Sequence, residues 1–263
     1  MKQKQLCRIT LSANAGFSLI IEPAESMEKG EPDSISKERS ARMWFDALHE
    51  QNVNDFSTLS ENIIQKMMKC EDFFWPDVIA YTHCHKDHFS AELTEQAIAL
   101  WPEAQVIVPE KMIPGQITLC RDTVIRLKGA ELEFIRTTHE GEEYRNTPHF
   151  ACIVRKHGKR ILITGDSEVG GSMLKDKLTE RGMIKENSPD IVIAGFPWIT
   201  LKKGRDSLDK WLWPSHLVIN HLPFPDEDEE GFNVAAEKFA GSLSKVRHVI
   251  IMNRALQQES IVV

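Results

Sequence analysis

The stretch Tyr81-Thr82-His83-Cys84-His85-Lys86-Asp87-His88-Phe89-Ser90 constrains this chain more than any other. Before it runs Asp77-Val78-Ile79-Ala80-Tyr81, a short apolar run after Pro76, which reads as a buried strand. After it, Ser90 can cap a helix over Ala91 to Leu100, with Glu92 and Glu95 in its early turns. Three histidines and an aspartate therefore fall on the turn between a strand's end and a helix's start. Imidazole nitrogens and a carboxylate are the donors that borderline divalent cations such as zinc take. Four such groups within six residues would repel or desolvate one another without a cation to share. A metal explains the crowding, whereas one histidine at a strand end would be an ordinary core or surface residue.

The rest of the chain supplies short β-rich runs with helices among them. Leu6 to Ser12 and Phe17 to Ile21 read as strands around an Ala13-Asn14-Ala15-Gly16 turn. Glu22 to Arg42 is polar, with Pro23, Gly30 and Pro32, and reads as a loop with a helical piece. Met43 to Leu48 reads as a strand carrying Asp46 near its end, and Ser60 to Cys70 as a capped helix with Ile63, Ile64, Met67 and Met68 on one face. Gln105 to Val108 is a strand, and Asp122 to Leu127 with Glu131 to Thr137 form a hairpin across Lys128-Gly129. Phe150 to Arg155, Ile161 to Thr164, Asp190 to Ala194, Leu217 to Asn220 and Val249 to Met252 complete the strands, the last of them closing the chain. Helices are expected over Gly171 to Arg181, Leu208 to Trp213 and Asp226 to Ala240, the last opening on carboxylates near its positive end. No repeat or low-complexity linker interrupts the 263 residues, so one domain is expected over 1–263. The strands fall into two groups, before and after roughly residue 150. Composition by itself allows only an α/β or α+β class.

Three later strand ends carry one potential ligand each: His139 after Phe134-Ile135-Arg136-Thr137-Thr138, Asp166 after Ile161-Leu162-Ile163-Thr164-Gly165, and His221 after Leu217-Val218-Ile219-Asn220. Loops gathered at one edge of a rigid sheet can assemble one site from such distant residues. His149, in Thr147-Pro148-His149-Phe150, competes with His139 for the same place. His49, His157, His216 and His248 lack such a context.

His-x-His-x-Asp-His after a strand, with the Thr82 lead-in, resembles the signature of the metallo-β-lactamase superfamily of hydrolases. The order that follows, a lone histidine, a lone aspartate and a late histidine, is similar too, so the resemblance spans most of the chain. It implies a four-layer αββα sandwich of two mixed sheets with outer helices. It implies two divalent metal ions, with zinc expected and manganese or iron as alternatives. His83, His85 and His139 would hold the first and Asp87, His88 and His221 the second, with Asp166 bridging. Asp46 would support the metal loop from behind, and Asp87 would orient the attacking water or carry a proton. His139 is preferred to His149 because a rigid strand precedes it. His149 would then stand behind the ligands or face the substrate. The compact length and the Gly165-Asp166-Ser167 ending look similar to the branch of sugar-phosphate lactonases and other small cytoplasmic hydrolases. Thr138-His139-Glu140-Gly141 departs from the Gly-His-Thr-x-Gly of the glyoxalase-type thioesterases.

The expected activity is metal-dependent hydrolysis of an ester, lactone, amide or phosphodiester of a small molecule. Two rivals are a di-iron redox enzyme of the same fold and a non-catalytic metal-binding protein. A net charge of −7 with scattered basic residues speaks against nucleic acid as a partner. No run approaches the roughly 20 apolar residues of a membrane helix, and Met1-Lys2-Gln3-Lys4-Gln5-Leu6 lacks a signal's apolar core, so a cytoplasmic protein is expected. Cys7, Cys70, Cys84, Cys120 and Cys152 are widely spaced without a Cys-x-x-Cys pair and read as buried thiols. Substrate choice is expected to lie in Glu22 to Arg42, Glu140 to Thr147 and Phe196 to Arg205.

Overall fold

The apolar runs pair into two seven-stranded mixed sheets in the computed structural model, which describes residues 4–23, 40–50 and 57–263. Most of the polar loop expected from Glu22, residues 24–39, lies outside them, as do 51–56.

The first sheet takes the strands of the N-terminal part. β1 (Gln5–Leu11) and β2 (Phe17–Pro23) form a hairpin in which Leu11 faces Phe17, and β3 (Ala41–Phe45) adds antiparallel to β2. β4 (Val78–Ala80), β5 (Gln105–Val108) and the two-residue β6 (Ile117–Thr118) continue parallel. The second sheet begins with β7 (Thr123–Leu127), β8 (Ala130–Thr137), β9 (His149–Lys156) and β10 (Lys159–Ile163), an antiparallel meander. It continues parallel through β11 (Ile191–Gly195), β12 (His216–Asn220) and β13 (His248–Ile251). A last strand, β14 (Gln258–Val262), returns to the first sheet beside β1.

Parallel neighbours need crossovers, and the helices supply them. α1 (Glu61–Met68) precedes β4, and α2 (Ala91–Leu100) links β4 to β5. α3 (Ser172–Glu180) links β10 to β11; α4 (Pro197–Thr200) and α5 (Lys202–Lys210) link β11 to β12; α6 (Phe232–Ala240) links β12 to β13. Side-chain alternation then sorts the layers. On β3, Met43 and Phe45 face the inter-sheet core with Leu19, Phe134, Phe150 and Ile161, while Trp44 faces Ile63, Met67 and Leu93 of the first helical layer. Ile153, Leu162, Val192 and Ile219 turn outward from the second sheet onto Leu174, Leu178, Leu208 and Ala236. The result is helix, sheet, sheet, helix, as expected.

The division between the sheets falls near residue 120, not 150. The Lys128-Gly129 turn has φ of 47° and 72°, as a tight hairpin requires, and β8 continues into β9 with Thr137 opposite His149. The β7–β8 hairpin is thereby tied to the second sheet. Strand β14 was not expected, because only Ile261 of its five residues is buried and no alternation shows. Strand β3 stops at Phe45, since Asp46 takes φ of 50°. The acidic run Asp226 to Glu230 lies outside helix α6 and caps it: the Asp228 carboxylate accepts from the Phe232 and Asn233 amides at 2.8 and 2.9 Å. The helix expected at Leu208 to Trp213 starts earlier, at Lys202, and ends at Lys210. Only Gly204, Ser207 and Leu208 of it are buried, too sparse a stripe to read. Among the described residues no helix is long and apolar enough to cross a membrane.

Candidate metal centre

Four chain segments deliver the predicted donors to one edge of the sandwich. The loop after β4 carries His83, His85, Asp87 and His88. His139 stands two residues past β8, Asp166 three past β10, and His221 directly after β12. The turn between β1 and β2 clamps two of these segments, since the His221 amide donates to Asn14 O at 2.9 Å and Asn14 Nδ2 donates to Asp87 O at 3.1 Å.

The donor atoms fall into two clusters. One atom each of His83, His85 and His139 lie within 4.8 Å of one another, and so do one each of Asp87, His88, Asp166 and His221. Asp166 Oδ2 joins the clusters. It lies 3.3 Å from His88 Nε2, 3.5 Å from His221 Nε2, and 3.8 Å from both His83 Nε2 and His139 Nε2. Asp87 Oδ2 lies 3.5 Å from His88 Nε2 and 3.4 Å from His221 Nε2.

Hydrogen bonds behind the rings set which nitrogen carries the proton. Asp46, 2% exposed, accepts the Thr82 amide on Oδ1 at 2.8 Å, and both the Thr82 hydroxyl and His88 Nδ1 on Oδ2 at 2.7 and 3.0 Å. A carboxylate only accepts, so His88 carries its proton on Nδ1. The Thr82 hydroxyl has given its proton to Asp46 and can only accept from His83 Nδ1, 3.1 Å away. His139 Nδ1 donates to Glu140 O at 2.6 Å. In His83 and His139 the Nε2 lone pair is left for the centre, the arrangement metal-binding histidines need, while His88 turns its Nε2 to the centre 3.1 Å from His221 Nε2. His83 Nε2 and His139 Nε2 are buried and make no hydrogen bond, a costly state that a cation relieves.

Electrostatics point the same way. Burial opposes charge on Asp166, yet His88 and His221 hold its carboxyl well below the usual range. Burial likewise opposes charge on His88, but Asp166, Asp87 and Asp46 hold it well above the usual imidazole range, and Asp166 and Asp87 raise His221 to about 9. Burial and then His88 push His83 well below 6.5. Without a cation, protons must bind these donors together; divalent ions would do so with nitrogen and oxygen ligands. The donor set fits such ions.

Close packing brings Asp166 within reach. A Cβ on Gly165, at φ of 50°, would lie 2.7 Å from Thr82 Cβ and Oγ1, so glycine is required for the loop after β10 to lie against the metal loop.

His149 is fully buried, on β9 opposite Thr137, with its ring centroid 5.3 Å from His83 and 5.5 Å from His139. It belongs to neither cluster. Ser167 Oγ donates to Thr164 O, Thr137 Oγ1 therefore donates to Ser167 Oγ, and His149 Nδ1 donates to Thr137 Oγ1 at 2.7 Å. Burial lowers its pKa to about 3, so it is neutral. It stands behind the donors, away from solvent. Cys84 is likewise in neither cluster, and burial pushes its thiol up to about 12; of the five thiols expected to be buried, Cys7 and Cys152 are, Cys70 and Cys84 are half-buried, and Cys120 is exposed.

Sequence reasoning passed over Asn14, read as a turn residue, and His49, read as ordinary. His49 is fully buried, and its electrostatic neighbours include His88, Asp87 and His221. Its position one residue past Leu48, two beyond the Asp46-Ala47 turn, was the available signal. Tyr144, within the Glu140 to Thr147 loop expected to govern substrate choice but not singled out there, packs its ring 4.8 Å from His85 and 5.2 Å from His139.

No protein-family model matches the chain, and no curated protein matches it. Solved structures do. A possible metal-dependent hydrolase from Veillonella parvula superposes with a TM-score of 0.60 at 12% identity, over 97% of this chain and 99% of that one. The metallo-β-lactamase fold protein YhfI from Bacillus subtilis gives 0.56 at 11%, over 99% and 100%. CmlA, a diiron β-hydroxylase from Streptomyces venezuelae, gives 0.58 at 13%, over 97% of this chain and 54% of CmlA. At such identities the likeness is one of fold, and the fold is the metallo-β-lactamase fold.

Proposed function

We propose that this chain is a metal-dependent hydrolase with a two-metal centre, zinc being the ion its donors suit best. The observation that carries the reading is the convergence of seven nitrogen and oxygen donors from distant segments, with the buried lone pairs of His83 and His139 left without a hydrogen bond. His83, His85 and His139 would hold one ion and Asp87, His88 and His221 the other, with Asp166 shared between them. Ions held there would polarise a carbonyl or phosphoryl oxygen and bring the pKa of a water toward ~7. Asp46 and Thr82 keep the rings oriented. The Asp87 carboxylate, itself in the second cluster, accepts the proton of the attacking water and returns it to the leaving group. Bond-making by the water oxygen, cleavage of the carbon–oxygen, carbon–nitrogen or phosphorus–oxygen bond and this proton transfer balance without an oxidant.

The test is elemental analysis of protein from metal-replete medium, joined to lactone, ester, thioester and phosphodiester panels. The expected result is about two ions per chain and turnover that a chelator abolishes and added metal restores. A metal content near zero refutes the reading. The likeness to a diiron hydroxylase favours one second reading, a di-iron oxygen-activating centre on the same donors. A visible absorption spectrum of the native protein separates the two, because zinc gives none.

A further inference from the structure

The cavity of about 240 Å³ beside the donors has walls of one chemical kind. Tyr144, Val169, Phe196, Pro197 and Trp198 line it, and Asp166, His139 and His221 meet it from the metal side. Phe196 is fixed from two directions, 4.8 Å from the Phe232 ring and 6.4 Å from the His221 ring. Tyr144 closes the opposite side over His85 and His139 while remaining 44% exposed.

Among the described residues, no lysine or arginine lines the cavity. Glu140, the one carboxylate outside the metal clusters among the described lining residues, is fully engaged: its Oε1 accepts from Lys203 Nζ at 2.6 Å and its Oε2 from the Val169 amide at 2.6 Å. An anionic substituent here would lose its hydration against a described lining that holds no cationic side chain, Lys203 being already paired with Glu140, whereas an apolar one would gain from burial.

We infer that this cavity receives an uncharged alkyl or aryl substituent whose ester, lactone or amide carbonyl lies at the metal centre. The inference rests on the hydrolase reading and deepens it. At about 30 Å³ per small group, the space holds roughly eight non-hydrogen atoms. Phe196 and Tyr144 are the specificity-determining side chains. The described walls therefore suit an apolar substituent better than the phosphate of a sugar-phosphate lactone, which would need a cation.

Hydroxamates, which chelate metal through one end, test the cavity without turnover. Acetohydroxamate, butyrohydroxamate, hexanohydroxamate and a hexano analogue ending in a carboxylate are titrated calorimetrically into the zinc-loaded protein. Affinity should rise roughly fourfold per added methylene until the cavity is full. The carboxylate-ended compound should bind more weakly than hexanohydroxamate. Phe196→Ala should flatten the chain-length dependence and Phe196→Leu should keep most of it. A flat series in the native protein, or tighter binding of the carboxylate-ended compound, overturns the inference while leaving the hydrolase reading in place. No binding of acetohydroxamate overturns both. Should Phe196→Ala not fold, the native series and the carboxylate comparison decide alone.

Discussion

Replacing Asp46 with asparagine tests whether a residue outside both donor clusters governs them. Asp46→Ala is uninformative. It strands three buried donors, the Thr82 amide, the Thr82 hydroxyl and His88 Nδ1, at roughly 1–3 kcal/mol each, a sum that reaches the ~5–15 kcal/mol of a whole domain. Asparagine keeps the volume and tolerates φ of 50°. Its amide must fail at one end. If the NH₂ takes the place of Oδ1, it faces the Thr82 amide. If it takes the place of Oδ2, it faces the Thr82 hydroxyl and His88 Nδ1. The second arrangement is relieved only by moving protons: His88 and, through Thr82, His83 then carry hydrogen on Nε2, the atoms that face the centre. Loss of one orienting partner costs about 10–100-fold in metal affinity, and here one ring of each cluster is affected, so a loss of at least ~100-fold is expected. Competition against a chromogenic zinc chelator measures it, with urea unfolding of the metal-free protein as the control. Native-like affinity for both ions in Asp46→Asn would refute the orienting role.

Further outcomes follow from the same geometry. Asp166→Asn keeps the shape and removes the charge whose Oδ2 reaches four imidazoles, so it should release both metals or nearly all activity while the fold survives; full metal content and rate would make Asp166 an ordinary turn residue. His139→Ala should empty or weaken the first site, and His149→Ala should keep both metals and alter rate or substrate affinity. A metal titration of the pair showing the reverse would exchange their roles. His49 gives an acid limb to stability. It is fully buried with its pKa lowered, chiefly by burial, to about 4, so below 6.5 the unfolded chain takes up a proton that the folded chain refuses. Stability is present above 6.5 and falls by about 3 kcal/mol as pH drops from 7 to 4. Urea unfolding of chelated protein should show that loss reduced in His49→Asn, and equal pH slopes would contradict it.

Local sequence determined the donors and the order in which they arrive. His83, His85, Asp87 and His88 are crowded by covalent spacing, and no tertiary fact is needed to see that a cation suits them. His139, Asp166 and His221 were legible because each ends an apolar run, and strand ends are where a rigid sheet presents side chains. The αββα layering was legible only through the motif's resemblance, since alternation alone does not say which sheet a strand joins. Tertiary structure decided what depends on pairing partners: that the β7–β8 hairpin belongs to the second sheet, that β14 closes the first, and that Asp228 caps α6 from outside it. It also separated His139 from His149, ten residues apart and similar in sequence context. Antiparallel pairing sets His149 opposite Thr137, so its Nδ1 bonds a hydroxyl behind the site and it joins neither cluster, while His139 lies past the strand end with Nε2 3.8 Å from Asp166 Oδ2. The apolar cavity is tertiary for the same reason. Tyr144, Val169 and Phe196 lie far apart along the chain, and only the packing of α4 and the loop after β8 against the donor edge brings them around one space.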